Sequence, residues 1–449
     1  MTTATPTTAE APVTHQQPGF ATFLTVWSGQ FVSLIGTELA AFALGLWAFR
    51  QTGSATQFTL IVFFANLPIV LLLPFAGALV DRWDRRLTMI GANVVSAVAV
   101  GTLVLLAATD WLRIWHIYPV VGIVAAANAF HWPAYAGLPA LLVPQRHLGR
   151  AAGIIELGRA GSQALAPMLA VVLVSWLPLA GVIGIDLATF VVAVLALVIV
   201  ALPTPSPVGP PRGYGPRALF ADVREGWGYI VERPGLLRLL IFFAIFNIFF
   251  SAALVLLVPM VAAFSNDRQL GLIASIGTAG LVVGALVMST WGGPTRKIYS
   301  LLGAVLLIGI TAVVGAVRTW PVLVAVAMFG FYVGFAVLNA SSQSIWQVKV
   351  PPRLQGRIFA LRRMVATATV PPAFFAAGPL ADRVFEPLMQ PGGGLAGSLG
   401  ALIGTGPGRG SAALVALLGA VVLAMGVWGL LSRRLVRMEL EIPDATSVP

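Results

Sequence analysis

The chain has 449 residues, of which 58% are hydrophobic and only 10% charged, and its mean hydropathy is +0.92. Soluble domains carry about 25% charged residues, so a water-soluble globule is excluded. The net charge of +11 accompanies no nucleic-acid-reading module, and the arginines are not interleaved with aromatics, which excludes a nucleic-acid partner. Cysteine is absent and the four histidines are scattered, so neither a metal site nor a cofactor site is expected.

Residues 1–19 are polar, lack basic residues and have no apolar core of a signal peptide, which predicts a disordered cytoplasmic tail. Twelve apolar stretches of the ~20 residues that a membrane crossing needs follow. They run over 21–48, 57–80, 87–108, 117–142, 153–175, 179–202, 236–263, 270–291, 299–317, 321–346, 357–380 and 411–432. The pattern predicts an all-α membrane protein with twelve transmembrane helices. Residues 20–202 hold the first six. Pro203 to Pro216 is too rich in proline to be helical, and it opens a cytoplasmic linker over 203–235. Within the linker Ala218 to Arg233 reads as an amphipathic interface helix, with Leu219, Phe220, Val223, Trp227 and Ile230 on one face. Residues 236–432 hold the second six spans and 433–449 a cytoplasmic tail. With the amino terminus inside, twenty of the 27 basic residues fall on the cytoplasmic side and six outside (Arg50, Arg113, Arg268, Arg318, Arg383 and Arg409). This is the positive-inside bias. Arginine outnumbers lysine 25 to 2, which points to a bacterial source, hence a bacterial cytoplasmic membrane with both termini cytoplasmic.

Between the second and third spans lies Gly77-Ala-Leu-Val-Asp81-Arg82-Trp-Asp84-Arg85-Arg86, a short turn dense in charge. Such charges are costly in hydrocarbon, so the turn stays in water. The stretch resembles the signature Gly-x-Leu-x-Asp-Arg-x-Gly-Arg-Arg of the major facilitator superfamily. Asp84 stands where that family usually has glycine, and an aspartate tolerates tight-turn conformations better than most residues. The resemblance implies two pseudo-symmetric six-helix bundles with a substrate site between them. It also implies that Asp81 caps the start of the eleventh helix near Arg357. With Gly77, Arg82, Arg85 and Arg86, that contact would form a conformational latch.

The halves repeat each other. Val143-Pro144-x-Arg146-x-x-Gly149-Arg150 recurs 207 residues on as Val350-Pro351-x-Arg353-x-x-Gly356-Arg357, and Gly77-Ala-Leu-Val returns at the same offset as Gly284-Ala-Leu-Val. Further strings, among them Phe130-His131-Trp132-Pro133-Ala134, Asp186-Leu187-Ala188-Thr189-Phe190 and Gly378-Pro379-Leu380-Ala381-Asp382, are similar to one branch of the superfamily, that of macrolide-efflux proteins and the enterobactin exporter. The branch implies an exporter of a lipophilic or siderophore-like compound driven by protons. An exporter motif in the fifth span is matched only in part, by Ser162, Ala166 and Pro167.

Polar groups inside spans are where a transporter acts. Glu38 lies deep in the first span, and a carboxyl group kept from water can exchange a proton at neutral pH. It is the candidate for proton coupling. His131 in the fourth span is the second. Asp186 reads as a structural hydrogen-bonding group, and Glu156 with Arg159 as an i, i+3 ion pair. The amides Gln30, Asn66, Asn128, Gln163, Asn247, Asn339 and Gln343 would be left unpaired against lipid. They are expected to line a substrate cavity with Trp132 and Tyr135. The reading is a monomeric secondary transporter, exporting a small lipophilic substrate through the lipid bilayer against protons. An importer or facilitator on the same fold is the alternative. A membrane enzyme or a scaffold is more remote, because no paired metal-binding acids, no nucleophile with its base and no phosphate loop are found.

Overall fold

The computed structural model describes residues 19–80, 83–144, 147–200, 216–442 and 444. Twelve helices among them are long and apolar enough to cross a membrane. Spans one to six are Phe20–Thr52, Ala55–Val80, Arg85–Ala108, Ile114–Ala136, Leu148–Val174 and Leu179–Ile199. Spans seven to ten are Pro234–Ala262, Asp267–Trp291, Lys297–Val317 and Pro321–Lys349, and the twelfth is Arg409–Leu431. The eleventh is broken: Pro352–Ala368, a join at Thr369, then Val370–Leu380 and a π-helical turn over Ala381–Phe385. Pro371 and Pro372 follow the join, and each lacks the N–H that would continue the ladder.

The packing repeats with a shift of six spans. The first span packs on the fifth and sixth as the seventh does on the eleventh and twelfth. The fourth packs on the second and third as the tenth does on the eighth and ninth. The two halves meet through two crossed pairs, the fifth span with the eighth and the second with the eleventh. Exchanging the halves turns one pair into the other, so the chain is two pseudo-symmetric six-helix bundles.

Small residues set the closest approaches, since a missing side chain lets backbones touch. A Cβ at Gly280 of the eighth span would sit 2.3 Å from the Phe329 carbonyl oxygen of the tenth. One at Gly271 would meet Val171 of the fifth span at 2.7 Å, across the two halves. Exposed tryptophans form two belts: Trp111, Trp115, Trp176 and Trp320 at one end, and Trp83, Trp227, Trp291 and Trp428 at the other. Indole rings favour the membrane–water boundary. The first belt marks the far end, which carries the loop between spans one and two. The second marks the terminal end, which carries the linker and the C-terminal tail.

Some sequence expectations shift. The fourth span ends at Ala136, and Pro139–Leu142 is a separate turn. The linker helix is Pro216–Val231; it buries Ile230 but leaves Trp227 half exposed, as an interface helix should. Asp84 adopts an extended backbone (φ −63°, ψ 117°), not a left-handed turn. Its carboxylate accepts the Leu87 N–H at 2.9 Å, so the residue serves as the N-cap of the third span. The glycine-rich loop after the eleventh span is ordered by Glu386, which accepts the N–H groups of Gly408 at 2.8 Å and Gly410 at 2.9 Å.

Candidate functional site

The N-terminal half encloses a cavity of about 90 Å³ among spans one, three, four, five and six. Gln30, Asn128, His131, Trp132 and Tyr135, all named from sequence, line it with Asn93, Thr37 and Arg159. His131 Nε2 donates to Gln30 Oε1 at 3.0 Å, tying the fourth span to the first. Gln30 Nε2 and Asn93 Nδ2 are buried without a protein partner. Drug-sized ligands occupy about 300–1,000 Å³, so in this pose these residues frame a small chamber with mostly apolar walls and a few polar groups, not the expected drug-sized site. Asp186, 2% exposed, accepts the Thr37 hydroxyl at 3.0 Å on the wall of the same bundle.

Glu38 lies 18 residues into the first span, about 27 Å along its axis. It is outside the chamber lining and turns toward the second half. The Gln163 side chain of the fifth span lies beside it, and Arg159 is near enough to act on its charge. Its own charge reaches the Tyr332 phenol of the tenth span. The carboxylate therefore stands between the two bundles, at mid-depth. Arg159 is held by Glu156, the i, i+3 pair read from sequence.

The remaining amides do other work. Asn66 Nδ2 donates to the Val62 carbonyl at 2.8 Å and Asn339 Nδ2 to that of Phe335 at 2.9 Å. An amide that bonds the carbonyl four residues back satisfies itself within its own helix, so neither needs a cavity. Gln343 accepts from Arg362 at 3.0 Å, and the same guanidinium reaches Ser342 and lies over the Trp346 ring, 5.6 Å from its centre. Asn247 is half-buried on the seventh span, away from the chamber.

At the terminal end, Asp81 and Arg82 lie outside the described residues, and Gly77 lies in the last turn of the second span. Arg86 is not aimed at the eleventh span. It donates to the Leu197 and Val198 carbonyls, both at 2.8 Å, at the end of the sixth span. Four C-terminal carbonyls of every helix lack internal partners, and a guanidinium fits that need. Arg85 packs against Gly137 at the end of the fourth span. Arg357, the expected partner helix's marker, pairs with Glu225 of the linker helix.

The sequence reading missed the far end. Arg50, at the end of the first span, donates to Asp267 at 2.8 and 3.0 Å, to the Ala262 carbonyl at 2.9 Å and to the Ser265 carbonyl at 2.8 Å. Asp382, in the π-helical turn of the eleventh span, accepts from Ser54 Oγ at 2.6 Å and from the N–H groups of Ala55 and Thr56 at 3.0 and 2.8 Å. Both sets of bonds join the halves, which are shut at this end.

Two six-span repeats, crossed interdomain pairs and a carboxylate between them describe a rocking transporter. The Major Facilitator Superfamily description matches residues 26–370. The chain belongs to that superfamily. Among curated members, macrolide efflux protein A of Streptococcus pyogenes is 27% identical over 368 residues, covering 81% of this chain and 90% of that protein. The multidrug efflux pump Tap of Mycolicibacterium fortuitum is 23% identical over 343 residues, covering 74% and 82%. Solved superfamily folds agree. The nucleoside transporter NupG superposes with a TM-score of 0.66 at 12% identity, over 91% of this chain and 98% of that one. A bacterial homologue of the lysosomal transporter Spinster, in an inward-facing and unoccupied conformation, gives 0.63 at 15%, over 94% and 97%. As a superfamily member the chain is a multi-pass membrane transporter resembling macrolide-efflux proteins, not an enzyme.

Proposed function

We propose that this transporter exports a small lipophilic compound from the cytoplasm in exchange for protons, with Glu38 as the coupling group. The observation that carries the reading is the place of Glu38: a carboxylate at mid-depth, with Gln163 of its own half and Tyr332 of the other half near enough to feel its charge. A group there meets water from alternate sides as the bundles rock, and its proton load can be tied to which side is open. The relatives named as efflux proteins support the outward direction. The substrate occupies the space that opens between the halves beside Glu38, while the chamber around His131 and Gln30 carries water and protons. Asp81 holds the terminal end closed in the opposite pose.

The test is transport of a fluorescent macrolide into everted vesicles, with an imposed pH gradient and with the gradient collapsed by a protonophore. Wild type should concentrate the probe only with the gradient. Glu38→Gln should retain probe binding and downhill exchange while losing the gradient-driven component. Full gradient-driven uptake by Glu38→Gln ends the coupling assignment.

A further inference from the structure

The far-end carboxylate belongs to a sequence pattern. Gly378-Pro379-Leu380-Ala381-Asp382-Arg383 repeats, at the end of the eleventh span, the Gly-x-Leu-(small or apolar)-Asp-Arg order of Gly77-Ala78-Leu79-Val80-Asp81-Arg82 at the end of the second. These two spans run in opposite directions and pack on each other across the halves. The eleventh-span string therefore reaches the first turn of the second span, at the far end.

The geometry explains the spacing. Gly378 and Asp382 are four residues apart, hence on one face of the helix. A Cβ at Gly378 would lie 2.6 Å from the Thr56 Cα and 2.1 Å from Thr59 Oγ1. Only a bare backbone lets the eleventh span come this close, and the close approach delivers Asp382 to the first turn of the second span. There both carboxylate oxygens are used: Oδ2 by Ser54 Oγ and the Thr56 N–H, Oδ1 by the Ala55 N–H. Negative charge at a helix start also meets the positive end of its dipole. The π-helical turn at Ala381–Phe385 falls on this residue, and such turns recur at functional positions.

We propose that Asp382 is a far-end latch: it holds the two halves shut by capping the second span and releases when that end opens. The cap is suited to breaking as well as to holding. Asp382 is half-buried and borders a cavity of about 240 Å³ with Arg50, Glu386 and Ser411. Water entering there can take over the bonds of both the carboxylate and the freed N–H groups, so opening leaves no buried group unpaired. The assignment concerns the opening step alone and is independent of the substrate and of Glu38.

The natural chain has no cysteine, which makes a single introduced thiol a clean reporter. Val171 is 7% exposed and packs on Gly271 across the halves at the far end. In a Val171→Cys background, labelling by a membrane-impermeant maleimide reports far-end opening. Asp382→Ala should raise the labelling rate about fivefold to thirtyfold, the range a lost helix cap produces, and Asp382→Asn by less. Gly378→Ala, which wedges the same contact without touching the charge, should raise it too. Asp382→Ala labelling within twofold of the parent, with a lowered melting temperature, would make Asp382 a static cap and overturn the latch. If Asp382→Ala does not accumulate, unchanged labelling in both Asp382→Asn and Gly378→Ala overturns it equally.

Discussion

Arg50 separates two kinds of interaction that a simple count of ion pairs would merge. Its guanidinium meets the Asp267 carboxylate and, separately, the carbonyls of Ala262 and Ser265. The ion-pair side chains are 39% and 45% exposed, and an exposed pair contributes about 0.2–1 kcal/mol. The carbonyls are fixed in place by their helix end and receive a charged donor, each bond contributing about 1 kcal/mol net after allowance for nearby solvent. Arg50→Ala should therefore favour far-end opening by about 2–3 kcal/mol, roughly 30-fold to 150-fold. Asp267→Asn, which leaves the carbonyl bonds in place, should shift it by less than about 1 kcal/mol, or about fivefold. Spin labels at Thr109→Cys and Thr319→Cys, one in each half and both in far-end loops, would read the populations as distances. The parent should give one short distance, Arg50→Ala a substantial long one, and Asp267→Asn a distribution close to the parent. Equal shifts in the two variants would place the weight on the ion pair and refute the reasoning.

Two other perturbations probe the frame. Lys349, at the end of the tenth span, is 6% exposed, and its ammonium donates to the Glu439 and Ile442 carbonyls and to Asp444, holding the C-terminal tail under the second bundle. Lys349→Met should lose about 1–3 kcal/mol of tail docking and free the short helical turns that carry the already exposed Arg433, Arg434 and Arg437, so that trypsin cleaves there sooner, followed as early loss of the tail by mass spectrometry. Gly280→Ala forces a methyl against the Phe329 carbonyl and should cost about 1–3 kcal/mol, read from tryptophan fluorescence as a lower melting temperature. Gly91→Ala, whose added Cβ meets open space, should leave that temperature unchanged.

The spans were legible because hydrocarbon thickness imposes a length that no soluble fold requires, and the 207-residue echo of Val143-Pro144 gave the doubling. The polar interior was read less well. The premise that an amide in a span must face a cavity fails for Asn66 and Asn339, because a carbonyl one turn back is always within reach. It holds for Gln30 and Asn128, where neighbouring spans supply the wall. The far-end contacts stayed hidden for another reason. Arg50 and Asp382 end their spans and read as topological charges, and Asp382 finds Ser54 across 328 residues of chain. The clue was present as the repeated Gly-x-Leu-x-Asp-Arg order, visible only when the two span ends are compared with each other, not half with half. Arg86 likewise belonged to the obvious signature, yet its partners are backbone carbonyls, which leave no mark in the sequence.

The repeats share a frame but have diverged in what fills it. Where the first and fourth spans meet, Gln30 and His131 bond beside a chamber with two orphan amide groups. Where their counterparts, the seventh and tenth, meet, Phe250 stacks on Phe331 at 5.0 Å and on Phe335 at 4.6 Å, with Phe246 behind it at 5.3 Å. An unpaired buried amide costs about 1–3 kcal/mol, so the first arrangement is stable only when hydrated, whereas the second is stable dry. Stacked aromatics have no polar group to satisfy and keep one geometry. The seam between the first and fourth spans can exchange water and adjust its hydrogen bonds; the stacked seam between the seventh and tenth keeps one arrangement. Rocking of the second bundle against the first would then change the surroundings of Glu38 chiefly by moving Tyr332 and its neighbours toward or away from it. If Glu38 couples protons as proposed, this asymmetry between the halves, more than their likeness, would make one carboxylate sensitive to which end is open.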